Sequence, residues 1–367
     1  MKILIYSPAF YPNLGGIETL VSILAHEFVR EAHEVKIVSQ TPSSGRDDFP
    51  FAVMRRPGAY DFLRVMRWCD VYFQPNISLR GLWPLALAPR PWVASHNNWY
   101  TRANGTLAWQ DQLKHYLARF ATGISVSHAV ATHVAAPSEI IPNTYREDIF
   151  RLLPEIERER ELVFVGRLVS DKGADVLLEA LAQLRARGLK TRLTIVGAGP
   201  EETALRRQVE QLGLRQQVEF AGAKRDEDLA KVLNAHRIMV VPSRWSEPFG
   251  IVALEGIACG CVVVGSEGGG LPEAIGECGP TFPNGDSQAL ADVLAESLNR
   301  DENISSFRAA AEAHLTRHRP AEVARAYLKV FENAVRHRSP LRRVTNDSPD
   351  DSKVRAKTPA PKPTIID

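Results

Sequence analysis

A chain of 367 residues has the length for two domains, each with its own core, and 44% hydrophobic with 24% charged residues is ordinary for a globular protein in water. A formal net charge of +2, without any run of Lys and Arg interleaved with aromatics, excludes a nucleic-acid-binding signature. No apolar run reaches the roughly 18–20 residues a bilayer span needs, and Cys69, Cys259, Cys261 and Cys278 lack metal-ligand spacing, so buried free thiols in a reducing cytoplasm are expected.

Residues 2–7 read as a first strand, too short for a signal peptide, ending in a loop that carries Gly15 and Gly16. Apolar Leu20, Ile23, Leu24 and Phe28 then recur at helical spacing, and a β-rich run follows at 35–39. This βαβ unit lacks both the G-x-G-x-x-G and the Walker patterns, which argues against a dinucleotide or ATP site, yet its glycine pair permits close backbone approach to a ligand. Strand-like runs near 52–55, 71–74, 92–96 and 123–127 alternate with helical patterns and predict a parallel sheet covered by helices, its order unreadable. His96 ends one of these strands, followed by Asn97, Asn98, Trp99 and Tyr100, a polar and aromatic cluster suited to a cleft. Residues 107–120 form an amphipathic pattern; it reads as a sheet-covering helix with a solvated basic edge, or as a surface touching anionic lipid. His128 reads as a helix-start residue. Residues 143–160, rich in charge, form the expected interdomain linker.

In the second half, residues 162–173 are a strand, a loop and a helix start carrying Gly166, Arg167 and Lys172, with Asp171 as a candidate cap. A planar guanidinium fork and a point charge together at a strand end can clamp a diphosphate. Gly197 and Gly199 make a tight turn after the next strand; Glu202 stands at the third glycine position of a dinucleotide fingerprint, so the pattern is partial. The strand at 218–220 leads to a loop with Gly222 and Lys224. Asp226-Glu227-Asp228 has the spacing of a metal–nucleotide signature but opens a helix, where acidic residues complement the dipole; no metal is predicted. Then comes the stretch 243–256, from an apolar strand into an apolar helix, with Glu247, Phe249, Gly250, Ile251 and Glu255. A helix start has unpaired N–H groups and favours an anion, so carboxylates beside it suit a ligand with phosphates at one end and hydroxyls at the other, such as a nucleotide sugar. The bland alternative makes Glu247 a helix cap and Glu255 a solvated residue. A glycine-rich loop (266–273), further helices near 287–298 and 305–314, and a last one at 321–336 complete the ordered chain; the tail from 339 is read as disordered.

The Glu247–Glu255 stretch resembles the Glu-x7-Glu motif of retaining GT-B glycosyltransferases of family 4 (glycosyltransferase group 1), and the resemblance covers most of residues 1–335. It implies an α/β fold of two Rossmann-like doubly wound domains facing a cleft: 1–145 on the acceptor side, 146–320 binding the nucleotide sugar, and 321–338 crossing back to the first domain, with 339–367 as the tail. By the same resemblance, Gly15 and Gly16 lie over the donor phosphates and sugar, Gly166, Arg167 and Lys172 belong to the phosphate site, and Gly197, Gly222 and Lys224 lie beside the nucleotide. Phosphate amides are assigned to residues 249–251, ribose hydroxyls to Glu255, the donor sugar to Glu247, and a role beside the reacting sugar to His96. Asn97 departs from the acidic residue often found there, and Thr144 from the usual glycine of the crossover.

The expected function is therefore metal-independent transfer of a sugar from a UDP- or GDP-sugar, itself a substrate and not a cofactor, to a hydroxyl acceptor, either glycan or lipid-linked. Location would be cytoplasmic, with peripheral contact at the inner membrane face as an option, and the oligomeric state is not legible. The alternatives are a sugar-nucleotide epimerase on the same fold and a non-catalytic nucleotide-sugar-binding module.

Overall fold

The computed structural model describes residues 1–337 apart from 13–14, 44, 46–47, 102–106, 135 and 300; the tail read as disordered lies outside the described residues. Thirteen strands among the described residues form two all-parallel sheets. The first contains β1 (Lys2–Tyr6), β2 (Glu34–Ser39), β3 (Ala52–Arg55), β4 (Val71–Gln74), β5 (Trp92–His96), β6 (Thr122–Ser125) and β7 (Ser138–Ile140), in the order β3-β2-β1-β4-β5-β6-β7. The second contains β8 (Arg160–Val165), β9 (Leu193–Val196), β10 (Val218–Gly222), β11 (His236–Val241), β12 (Val262–Ser266) and β13 (Thr281–Phe282), in the order β10-β9-β8-β11-β12-β13. Every residue of β4 and of β12 is buried, which is why these strands read as unbroken apolar runs: helices cover both faces of the sheet.

Strand order decides where a ligand can enter. The first sheet reverses direction of growth between β1 and β4, the second between β8 and β11, and the crevice of an open α/β sheet lies outside the carboxyl ends at such a switch. The loops leaving β1, β8 and β11 are those that carry Gly15–Gly16, Arg167–Lys172 and Glu247–Ile251.

The two domains are joined twice. The chain crosses at residues 141–160 and returns in the helix Pro320–Arg336, whose Pro320 sits at the first turn, where a missing N–H costs nothing. Val323, Ala324, Tyr327, Leu328 and Phe331 of that helix are buried in the core of the first sheet; Phe331 meets Phe28 and Phe73 with ring centroids 5.4 and 5.2 Å apart. The two crossings are stitched together: Thr144 Oγ1 donates to the carbonyl of His318 at 2.7 Å, and His318 Nδ1 donates to the carbonyl of Asn143 at 2.9 Å. Thr144, the departure from a glycine, thus supplies a hydrogen bond across the hinge that glycine could not make.

Candidate active site

The second-domain half of the site is built by two loops fastened to each other. The main-chain N–H groups of Arg244 and Trp245 donate to the carbonyl of Asp171 at 2.9 and 3.2 Å. Gly173 lies so close beneath Pro242 that an added Cβ would come within 1.9 Å of its carbonyl oxygen, and its φ of +66° is open mainly to glycine. This clamp presents Lys172 to the loop after β11. Lys172 Nζ meets Glu247 Oε1 at 2.5 Å, and Ser243 Oγ donates to the same oxygen at 2.8 Å. Both side chains are largely shielded, at 26% and 14% exposure, so the pair is not a loose surface contact. The main chain of Glu247 is held by Gly270, whose N–H donates to its carbonyl at 2.7 Å. Glu247 is therefore no helix cap. Asp171 caps no helix either: the helix Ala174–Ala186 starts from Gly173 without a side-chain cap, and Asp171 contributes its carbonyl to the loop clamp.

The helix Ile251–Ala258 begins at Gly250, with φ at +108° and no side chain bonded to its opening amides, which leaves them available to an anion. Across the cleft, a Cβ on Gly16 would stand 3.8 Å from Ile251 Cδ1, so the glycine pair of the first domain faces the helix start of the second. Three further contacts join the domains around this point. Trp99 Nε1 donates to the carbonyl of Ser246, and Ser127 Oγ to that of Pro248, each at 2.8 Å; His128 pairs with Glu273 through both its N–H and its ring, at 2.9 and 2.8 Å. The sequence reading expects Ser127 with His128 to line the cleft and Trp99 to belong to the cluster at the end of β5, and both meet the second domain; Ser243 and Glu273 were given no role from sequence.

The remaining predicted residues fall into distinct positions. Arg167 is exposed on the loop leaving β8, and its guanidinium bonds no group among the described residues. Gly166 is half-buried, with room beside it limited by the Phe164 ring and the Lys172 stem. Gly197, at φ +153°, is required by packing: a Cβ there would lie 1.8 Å from the carbonyl oxygen of Gly166. Gly222 (φ +69°) and Lys224 are exposed at the end of β10, where the pairing register shifts. Phe249 turns its ring into the core, 5.7 Å from His318, so only its main chain can serve a ligand. Glu255 is partly buried; burial, reinforced by the like charge of Asp226 and opposed by Arg146, pushes its carboxyl up to about 8. It is thus mostly protonated at neutral pH, able both to give and to accept hydrogen bonds from hydroxyls.

His96 is fully buried in this structure. The N–H of Ile77 donates to Tyr100 Oη at 2.9 Å, which leaves the tyrosine proton for His96 Nδ1 at 3.0 Å. That arrangement puts the ring hydrogen on Nε2, an atom with no hydrogen-bond partner among the described residues. Burial, with a smaller contribution from His115, lowers the His96 pKa to about 4 and keeps the ring neutral. The Asp226–Asp228 pair sits in the first turn of the helix Asp226–Asn234, and among the described residues no group of three or more His, Cys, Asp or Glu is placed to hold a metal ion.

Two Rossmann-like parallel-sheet domains with their switch points facing across a cleft define the GT-B class. Anabaena HepE in complex with UDP superimposes with a TM-score of 0.77 at 19% identity, over 91% of this chain and all of that one. A glycosyltransferase involved in avilamycin A biosynthesis does so at 0.67 and 22%, over 91% of this chain and 98% of that one. Residues 146–314 match the family described as glycosyl transferases group 1. Phosphatidyl-myo-inositol mannosyltransferase of Mycobacterium leprae is 29% identical over 366 residues, covering 90% of this chain and 96% of the relative. D-inositol 3-phosphate glycosyltransferase of Saccharomonospora viridis is 34% identical over 185 residues, which span 47% of this chain and 43% of the relative. Likeness to the group 1 glycosyltransferases thus rests on the family match within the second domain and on a relative, similar over most of the chain, that is named as a mannosyltransferase.

Proposed function

We propose that the protein transfers a sugar, with retention of anomeric configuration, from a UDP- or GDP-sugar to a hydroxyl of a glycan or lipid-linked acceptor at the cytoplasmic side of a membrane. The observation that carries this reading is the meeting of Lys172 and Glu247 at 2.5 Å beside the uncapped helix start at Gly250, opposite Gly16. Breaking a sugar–phosphate bond leaves negative charge on the departing diphosphate. Lys172, Arg167 and the amides at residues 250–252 supply positive charge and donors for it without calling on a metal. In this scheme Lys172 exchanges its carboxylate partner for a phosphate oxygen, and Glu247, released, orients hydroxyls of the donor sugar. Glu255, protonated and four residues into the helix, binds the ribose; Gly222 and Lys224 flank the base. The acceptor attacks from the leaving-group face and passes its proton to a phosphate oxygen, so no glutamate nucleophile is needed. His96 acts beside the donor sugar through Nε2–H, which requires the cleft to open toward it. Support comes also from neighbours solved with UDP, glucose and UDP-glucose, and from relatives named for phosphatidyl-myo-inositol and D-inositol 3-phosphate.

The test is incubation with labelled UDP- and GDP-sugars and candidate acceptors, with and without chelator. Formation of a new α-configured glycoside from an α-linked donor, at the same rate in chelator, is expected. Conversion of free donor without acceptor would instead mean an epimerase, and tight donor binding without turnover a binding module.

A further inference from the structure

The main chain around Glu247 is held by groups from both domains. The successive carbonyls of Ser246, Glu247 and Pro248 each accept a hydrogen bond: from Trp99 Nε1 at 2.8 Å, from the Gly270 N–H at 2.7 Å and from Ser127 Oγ at 2.8 Å. The first and last of these donors belong to the first domain. Ser127 is fully buried, and its oxygen already accepts from the Val130 N–H at 3.2 Å, so its own proton is left for Pro248. The packing there leaves no slack: a Cβ on Gly270 would lie 2.2 Å from the Pro248 oxygen and 2.7 Å from Ser127 Cβ. Trp99 is fixed from the other side by a row of rings that begins at His96. Centroids are 5.6 Å apart from His96 to Tyr100, 5.9 Å from Tyr100 to His115, 5.4 Å from His115 to His133 and 5.3 Å from His133 to Trp99.

From this bracketing we infer that Trp99 and Ser127 are positioning residues for Glu247, so that the first domain sets the carboxylate meant for the donor sugar. The inference rests on the transferase reading above, which gives Glu247 that sugar. Lys172 and Ser243 hold the carboxylate itself, but both come from the second domain and cannot fix where its main chain stands relative to the acceptor side. Trp99 and Ser127 do so, because each grips a carbonyl next to Glu247 in sequence, one on either side. The row of rings makes the strand end that carries His96 the reference point for Trp99, and through it for Ser246. Glu255, Gly222 and Lys224, assigned to the nucleotide, take no part in these bonds. Loss of the Trp99 or Ser127 donor therefore lets the carboxylate drift while nucleotide binding stays intact, and a displacement of about 1 Å at a reacting centre is enough to cost rate.

The test is a double-mutant cycle in the glycoside-forming assay. It pairs Trp99→Phe, which keeps an aromatic ring and removes the indole donor, with Glu247→Gln. In otherwise wild-type protein Trp99→Phe is expected to lower kcat at least about tenfold, with the rise in melting temperature caused by UDP or GDP unchanged. Made in Glu247→Gln, the same change should lower kcat less than about twofold further, because its effect runs through the carboxylate already removed. The Trp99 bond lies at an exposed edge, where water can take over the Ser246 carbonyl, so the variant should fold. Ser127→Ala repeats the cycle from the Pro248 side. Unchanged kcat in both folded variants, equal falls with and without Glu247, or loss of the nucleotide-induced rise in melting temperature overturns the inference and leaves the transferase reading standing. Wild-type protein that forms no glycoside from either class of donor overturns both.

Discussion

Replacing Lys172 by methionine keeps the length of the stem and removes the charge that pairs with Glu247. A departing diphosphate oxygen held about 3 Å from Nζ would gain about 5 kcal/mol from a unit charge at the effective dielectric of about 20 that suits partly shielded pairs. Part of this is offset by desolvation and by loss of the Glu247 contact, and removal of one preorganised donor typically costs about 3–4 kcal/mol, or 10²–10³ in kcat. Lys172→Met is therefore expected to lose that factor in kcat at saturating donor, measured as glycoside formed per unit time. The fold should tolerate it, because Ser243 still donates to Glu247 and the loop clamp through Asp171 is made by main-chain groups. A folded variant whose kcat stays within about threefold of wild type would refute the diphosphate clamp, since even the weakest donors of this kind contribute more.

Gly16 has room for a methyl group in the free protein, with Ile251 Cδ1 3.8 Å from the added carbon, so Gly16→Ala should leave the melting temperature unchanged while raising the donor KM; an unaltered KM would remove the glycine pair from the donor site. Gly197→Ala has no such room, with the Gly166 carbonyl 1.8 Å away, and should destabilise by more than about 2 kcal/mol in urea titration. His96, His236 and His318 have their pKa values lowered to about 4, chiefly by burial. The unfolded chain takes up protons at these groups near pH 6.5, whereas the native chain refuses them until about 4, so stability is full above pH 6.5 and declines as pH falls through that window. Urea midpoints at pH 7 and 4.5 should differ accordingly, and His318→Gln should narrow the gap; equal midpoints would rule the mechanism out. Glu255 works in the other direction: its raised pKa means the native state holds a proton that the unfolded chain releases near 4.5, so Glu255→Gln should become relatively more stable than wild type as pH rises from 5 to 8.5.

Local chemistry made much of this protein legible. Apolar runs at 2–6 and 262–265 disclose strands covered on both faces, and the strand-to-helix turn at residues 242–251 discloses an anion-accepting helix start, because side-chain period and turn residues act over a few positions. Glycine is ambiguous at that range. The demand for small size at Gly197 comes from the Gly166 carbonyl of a neighbouring strand end, while Gly222 faces open space, and neither fact follows from the adjoining residues. Sheet order, which no local pattern encodes, decided which loops meet: Lys172 and Glu247 lie 75 residues apart and touch because β8 and β11 are neighbours at the second sheet's switch point. Long-range packing likewise placed Thr144 against His318 across 174 residues and shut His96 behind Tyr100. It also left Trp109, Leu113, Tyr116 and Phe120 facing water, where the amphipathic pattern of residues 107–120 alone allowed either a covered or an exposed apolar face. Hydrophobic period tells which residues share a side of a helix; only the assembled tertiary structure determines whether anything covers that side.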